Sequence, residues 1–287
     1  MALVHHSRPR PAPYPTHLAP RPSVRRPHCL ARERLVLWKP VHARQALDAA
    51  GQPVNLSDSD IEQILNVMSY AWAEGTLETY ASGLLSWHVY CDSKDIPEVQ
   101  CAPASPVLVA AFLATLAGLF SNKTIQNYVY GVRAWHVLHG APWAMNEDEV
   151  KTMLKATEKL TPESSRRKKR RPYTPDFITA VKHRLNLDTP LDAAVFACLT
   201  TCFYAAARLG EFTIRRLDAF DSSLHVTPAN LSKASNREGD EVVVLHLPKT
   251  KTSAQGEDVY WAKQNGETDP VAALEHHRFS YIKPYAK

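Results

Sequence analysis

An arginine interrupts the run "LDAAVFACLTTCFYAAARLGEF" (residues 191–212), at a point where a buried helix would otherwise continue in alanine. Its guanidinium is a planar fork able to hold two oxygens of a phosphate at once, which an ammonium group cannot do. Arg208 therefore marks either one corner of a phosphate-binding site or an ordinary helix ion pair, since Glu211 stands three residues on. Forty residues later "PKTKTS" sets Lys249 and Lys251 in what reads as a turn between strands. A third basic feature is the unbroken run Arg166, Arg167, Lys168, Lys169, Arg170 and Arg171, six cations with phosphate-binding potential.

Charge distribution sharpens this reading. The formal net charge is +5, but residues 1–34 carry seven arginines against Glu33, and the run at 166–171 adds six more cations. The remainder sums to −7, and residues 60–160 hold six Lys/Arg against eleven Asp/Glu. A DNA-binding face on the folded parts must then arise by segregating charge, because overall basicity does not supply it. Five cysteines, an odd number with no C-x-x-C pair, fit neither a disulfide framework nor a zinc site, so reduced thiols in an intracellular protein are expected and no metal. The longest uncharged apolar stretch, 107–120, is too short to span a bilayer, so no membrane partner is expected.

The elements that must position these residues follow from periodicity. Residues 1–34 are rich in Pro, Arg and His with few periodic apolar positions, which predicts a disordered basic tail; with the ambiguous piece after it, the tail runs over 1–55. Residues 56–160 read as four or five helices. "SDSDIEQILNVMSYAWA" places Ile61, Ile64, Leu65 and Met68 on one face, and "TLETYASGLLSWHVYCDS" repeats the logic with Leu77, Tyr80, Leu84 and Trp87. "SPVLVAAFLATLAGLF" is apolar nearly all round and is expected to be the central buried helix. "SNKTIQNYVYGVRAWHVLHG" ends at Gly140, and "NEDEVKTMLKATEKL" opens with a cap at Asn146. Prolines and like charges at 161–175 predict an extended linker. Two helices follow, then "SSLHVT", "EVVVLHLP" and "EDVYWA" as a small antiparallel sheet, then a helix in "DPVAALEHHRFSYI". The expected fold is mainly α: a helical bundle followed by an α+β region.

That order, a helical bundle, a basic linker, a buried helix ending in A-R-x-x-E and a strand pair whose turn contains T-K-T, resembles the tyrosine recombinase (phage integrase) superfamily, near the Cre type. The resemblance covers residues from about 57 onward and implies a SAM-like core-binding domain at 56–160 and an incomplete recombinase catalytic domain at 176–287. It implies that Arg208 grips the scissile phosphate, that Lys251 protonates the leaving 5′ oxygen as general acid, with Lys249 the neighbouring alternative, and that Glu211 orients the arginine. The family motif G-L-R-x-x-E is matched by Ala207 to Leu209 around Arg208, with Glu211 three residues on and alanine where the family often has glycine. The helix at 121–140 is similar to the family's major-groove helix, which makes Lys123, Thr124, Asn127 and Arg133 candidate DNA contacts. The run Arg166–Arg171 then serves as a phosphate clamp, a nuclear import signal, or both. Double-stranded DNA is the implied partner, on which copies of the chain could assemble, with no cofactor and a nuclear location.

The family completes its site with H-x-x-R, a further His or Trp, and a tyrosine nucleophile downstream of the lysine. Here the literal H-x-x-R is His5-His6-Ser7-Arg8 in the tail, His276-His277-Arg278 has the wrong spacing, and Tyr281 and Tyr285 come too soon after Lys251. The expectation is a truncated or domesticated relative that binds DNA and cannot cleave it. Two other readings remain open: a DNA-binding protein with no enzymatic ancestry in use, and a helical module that binds another protein.

Overall fold

The computed structural model describes residues 10–48, 50–166, 168–214, 217–251 and 253–282, with side chains up to Phe279 apart from that of Leu217. The tail motif His5–Arg8, Arg167, Tyr285 and the side chain of Tyr281 lie outside the described residues. The chain is mainly helical with one three-stranded antiparallel sheet near its C-terminus. It divides into two units between Lys168 and Lys169, inside the basic run.

In the first unit the bundle helices are α1 (Asp58–Ser69), α2 (Glu74–Ser93), α3 (Pro106–Leu116), α4 (Asn122–His139) and α5 (Glu147–Lys159). Their starts are set locally. Ser57 accepts from the Asp60 amide while Asp60 reaches back to the Ser57 amide, Ser105 and Ser121 cap α3 and α4, and Asn146 accepts from two amides of α5. Gly140 ends α4 in the left-handed region at φ 73°.

The centre of the bundle is α2 against α4. The expectation that 105–120 is the central helix does not hold: α3 buries Val109, Phe112, Leu113 and Leu116, but Val107 is 75 % exposed and Ala111, Ala114 and Thr115 face solvent. The reason is steric. A β-carbon on Gly83 would sit 2.5 Å from the Tyr128 Cα, and one on Gly131 would sit 2.3 Å from the Tyr80 carbonyl oxygen, so the backbones of α2 and α4 touch where glycine alone fits. Hydrophobicity marks a helix that can be buried; the small residues decide which pair packs closest.

Residues 10–48 correct a second expectation, that of a disordered tail. Leu35 and Trp38 are fully buried, Trp38 Nε1 donates to the Pro27 carbonyl (3.0 Å), and Trp135 Nε1 donates to the Trp38 carbonyl (2.6 Å). Arg26, with 4 % of its side chain exposed, grips Asp92 through both terminal nitrogens (2.8 and 3.1 Å) and Glu98 through Nε (2.8 Å). Arg21 pairs with Asp95 and Arg32 with Glu74, while Arg34 donates to the Ala81 carbonyl. The acids that gave residues 60–160 their negative balance are thus partly matched by the tail's arginines. Composition of the segment by itself could not show this, because the ordering free energy comes from a distant surface.

The second unit has α6 (Pro175–Lys182), α7 (Pro190–Tyr204), a single helical turn at Leu209–Phe212, strands β1 (Leu231–Ser235), β2 (Glu241–Leu247) and β3 (Glu257–Ala262), and α8 (Pro270–Ile282). The sheet runs β1-β2-β3 in antiparallel register, with Leu231 opposite Leu245 and Leu245 opposite Val259. The strand expected at 222–227 is not there: the Asp221 carboxylate accepts from the Ser223 amide and hydroxyl (2.8 and 2.6 Å), tightening that stretch into a turn, and β1 forms at 231–235 instead. Val243, Leu245, Leu247 and Trp261 make the inner face of the sheet and pack on Tyr204, Ala205, Phe212 and Leu274. Among the described residues no helix is long and apolar enough to cross a membrane.

Candidate nucleic-acid interface

Arg208 is not on the apolar helix. α7 ends at Tyr204, and Ala206 takes the left-handed backbone (φ 50°), letting the Ala207 amide turn back to the Cys202 carbonyl (3.1 Å). This is the helix termination that usually carries glycine, here made by alanine. The reversal places Arg208 in extended backbone at the start of the 209–212 turn. There Glu211 accepts from both the Arg208 amide (Oε2, 2.9 Å) and its Nη1 (Oε1, 2.9 Å).

The carboxylate is nearly buried, with 10 % of its side chain exposed, whereas the arginine side chain is 63 % exposed. Phe212, on the same turn, packs on the sheet cluster and fixes the turn's seat. Arg208 is therefore held from one side by a sheltered acid, and its other guanidinium nitrogens have no hydrogen bond among the described residues. That is an arrangement fit to receive an oxyanion. At this exposure the ion pair contributes little stability, about 0 to 1 kcal/mol.

Lys249 and Lys251 lie exposed on the connection between β2 and β3. The connection is tied internally: Thr250 is buried, its amide donates to the Ser253 carbonyl (2.9 Å), the Ser253 amide donates to Thr250 Oγ1 (3.0 Å), and Ser253 Oγ donates to the Gly256 carbonyl (2.7 Å). Gly256 is required there, because a β-carbon would meet the Leu247 carbonyl oxygen at 2.2 Å. Burying Thr250 turns its two lysine neighbours outward. A cavity of about 1160 Å³ is bordered by Ala207 and Leu209 on either side of Arg208, but Lys251 is not among its lining residues.

The candidate contacts on α4 divide. Lys123 is exposed and donates to Gln126 (3.1 Å), Thr124 shares the cap of α4 with Ser121 (2.9 Å between hydroxyls), and Thr124 and Asn127 line a shallow cleft of about 320 Å³ with Glu78, Thr79, Ser82 and Tyr128. Arg133 stands about 180° around the helix from Thr124 at ~100° per residue, and pairs with Glu147 at 3.7 Å. The first three residues share one end of the helix; Arg133 does not join them. Arg166, Lys168, Lys169, Arg170 and Arg171 are all exposed.

Sequence reasoning passed over the pair Cys198 and Cys202, whose sulfurs stand 4.0 Å apart on α7, although the i, i+4 spacing was visible. It also passed over His88, His136 and His139, all buried in the first unit beside Trp38 and Trp135. Among the described residues no group of three or more His, Cys, Asp or Glu could hold a metal ion. In comparison with known proteins, no protein-family model matches the chain and no curated protein matches it either.

Proposed function

We propose that this chain binds double-stranded DNA in the manner of a tyrosine recombinase relative, with Arg208 receiving a backbone phosphate and the basic run adding further phosphate contacts. The observation that carries the reading is the contrast between Arg208 and Glu211: an exposed guanidinium oriented by a sheltered carboxylate, set apart from its helix by a strained reversal. Lys251 stands at the position of that family's general acid, Lys123, Thr124 and Asn127 are the proposed groove contacts, and a nuclear location follows if the basic run is read by import receptors. In that family strand cleavage needs H-x-x-R after the lysine and a tyrosine after that; between Lys251 and Lys287 there is no H-x-x-R for Tyr281 or Tyr285 to follow, so the activity proposed for these residues is binding.

The experiment is a fluorescence-anisotropy titration with a labelled duplex over ~50 to 200 mM salt. Log affinity should fall linearly with log salt, and neutralising four cations of the basic run should flatten the slope by up to about 4. Arg208→Ala should weaken binding more than Arg133→Ala does. Binding that ignores salt, or no binding at the lowest salt, would remove the reading and leave the protein-interaction alternative, which the apolar cavity of the second unit favours. A covalent adduct with a nicked suicide substrate would overturn the absence of cleavage.

A further inference from the structure

The five cysteines fall into two environments. Cys29, Cys91 and Cys101 are buried in the core of the first unit, whereas Cys198 and Cys202 are half-buried on the wall of the large cavity in the second. On α7 they are one turn apart, with 4.0 Å between sulfurs. We infer that Cys198 and Cys202 form a two-thiolate site for a soft monovalent cation, Cu(I), at the apolar wall of this cavity.

Three considerations select that ligand. A disulfide is disfavoured because residues i and i+4 of a helix hold their β-carbons ~5 to 6 Å apart, whereas the bond wants about 3.8 Å, so oxidation would have to unwind α7. Zinc wants four donors, and no third His, Cys, Asp or Glu among the described residues joins the pair. Two sulfurs each ~2.3 Å from one ion stand at most about 4.6 Å apart, so the 4.0 Å gap admits a shared ion with a bent S–Cu–S angle of roughly 120°, and a small rotamer change opens it toward the in-line arrangement. Soft thiolate donors favour Cu(I) over the hard cations. The wall around the sulfurs, which includes Val195, Leu209, Phe212 and Trp261, offers little to a hydrated ion.

Binding is a proton exchange without electron transfer: Cu(I) enters as Cu(I), two S–H bonds break, two Cu–S bonds form and two protons leave. The bound pair then carries one net negative charge. Arg278, of opposite sign, lines the same cavity.

The full chain, reduced and handled without oxygen, would be titrated with Cu(I) alone against bicinchoninate, a coloured Cu(I) chelator. One equivalent should be withheld from the chelator, and Cys198→Ser/Cys202→Ser should weaken retention by more than about 100-fold. A wild-type protein that withholds no copper, or a double variant that withholds as much as wild type, overturns the site. Alkylation of the unsubstituted protein needs no variant to fold: bound Cu(I) should protect Cys198 and Cys202 from iodoacetamide, read by peptide mass spectrometry, and unchanged labelling of the two would equally end the proposal.

Discussion

Acidification should loosen the first unit through its buried histidines. His136 is fully buried; its Nε2 accepts from the Ala104 amide (3.0 Å), so Nδ1 carries the proton and donates to the Val132 carbonyl (2.8 Å). Protonating Nε2 would set one N–H against another inside the core. Burial accordingly pulls the group down from 6.5 to about 4, against the Val132 carbonyl, which favours the cation, and with His139 adding to the depression. The sign follows from linkage. The unfolded chain titrates near pH 6.5 and the folded one near 4, so stability is whole above ~6.5 and drains away as pH falls toward 4. At pH 5 the unfolded state gains roughly 30-fold from protonation while the folded state gains almost nothing, a loss of about 2 kcal/mol from this histidine.

His88 is held well below 6.5 by burial, then by Arg26 and His136, and neither ring nitrogen has a hydrogen-bond partner among the described residues. It should add to the acid loss in the same direction, against a total stability of ~5 to 15 kcal/mol for an ordinary domain. Five of the six tryptophans lie in the first unit, so urea unfolding followed by tryptophan fluorescence at pH 7, 6 and 5 reports on it. His136→Gln keeps polar groups in place without titrating and should recover the part of the acid loss that belongs to His136, about 2 kcal/mol at pH 5. A midpoint that stays constant from pH 7 to 5, or an undiminished drop in the variant, refutes the reasoning.

Gly131→Ala should destabilise the first unit by about 1 to 3 kcal/mol in chemical denaturation, since the new methyl meets the Tyr80 carbonyl at 2.3 Å; an unchanged midpoint would mean α2 and α4 do not cross there. Ala206→Gly should stabilise the second unit by roughly 1 kcal/mol, because the left-handed position then carries no β-carbon, and a fall in its melting temperature would contradict the helix ending described. Arg26→Ala should destabilise the first unit by removing the guanidinium that pairs Asp92 and Glu98, Asp92 keeping only the Arg21 amide, and should expose residues 10–38 to limited proteolysis; unaltered protection would speak against the anchoring role.

What the sequence determined by itself was local. Serines at 57, 105 and 121, Asn146 and Thr189 cap helices because their partners are amides two or three residues on, and the valines at 242–244 form a strand because β-branched residues suit a pleated surface. Arg208 and Glu211 were legible as a pair for the same reason. The tertiary structure alone decided that α2 and α4 are central, through glycines 48 residues apart whose steric role appears only when the two backbones meet. It alone ordered the arginine-rich segment, because Arg26 and Asp92 are 66 residues apart and neither composition foretells the other. And it moved Arg208 off its helix, since one left-handed alanine redirects the chain. Propensity and spacing act within a turn or two; close approach and charge pairing depend on which distant surfaces the fold brings together.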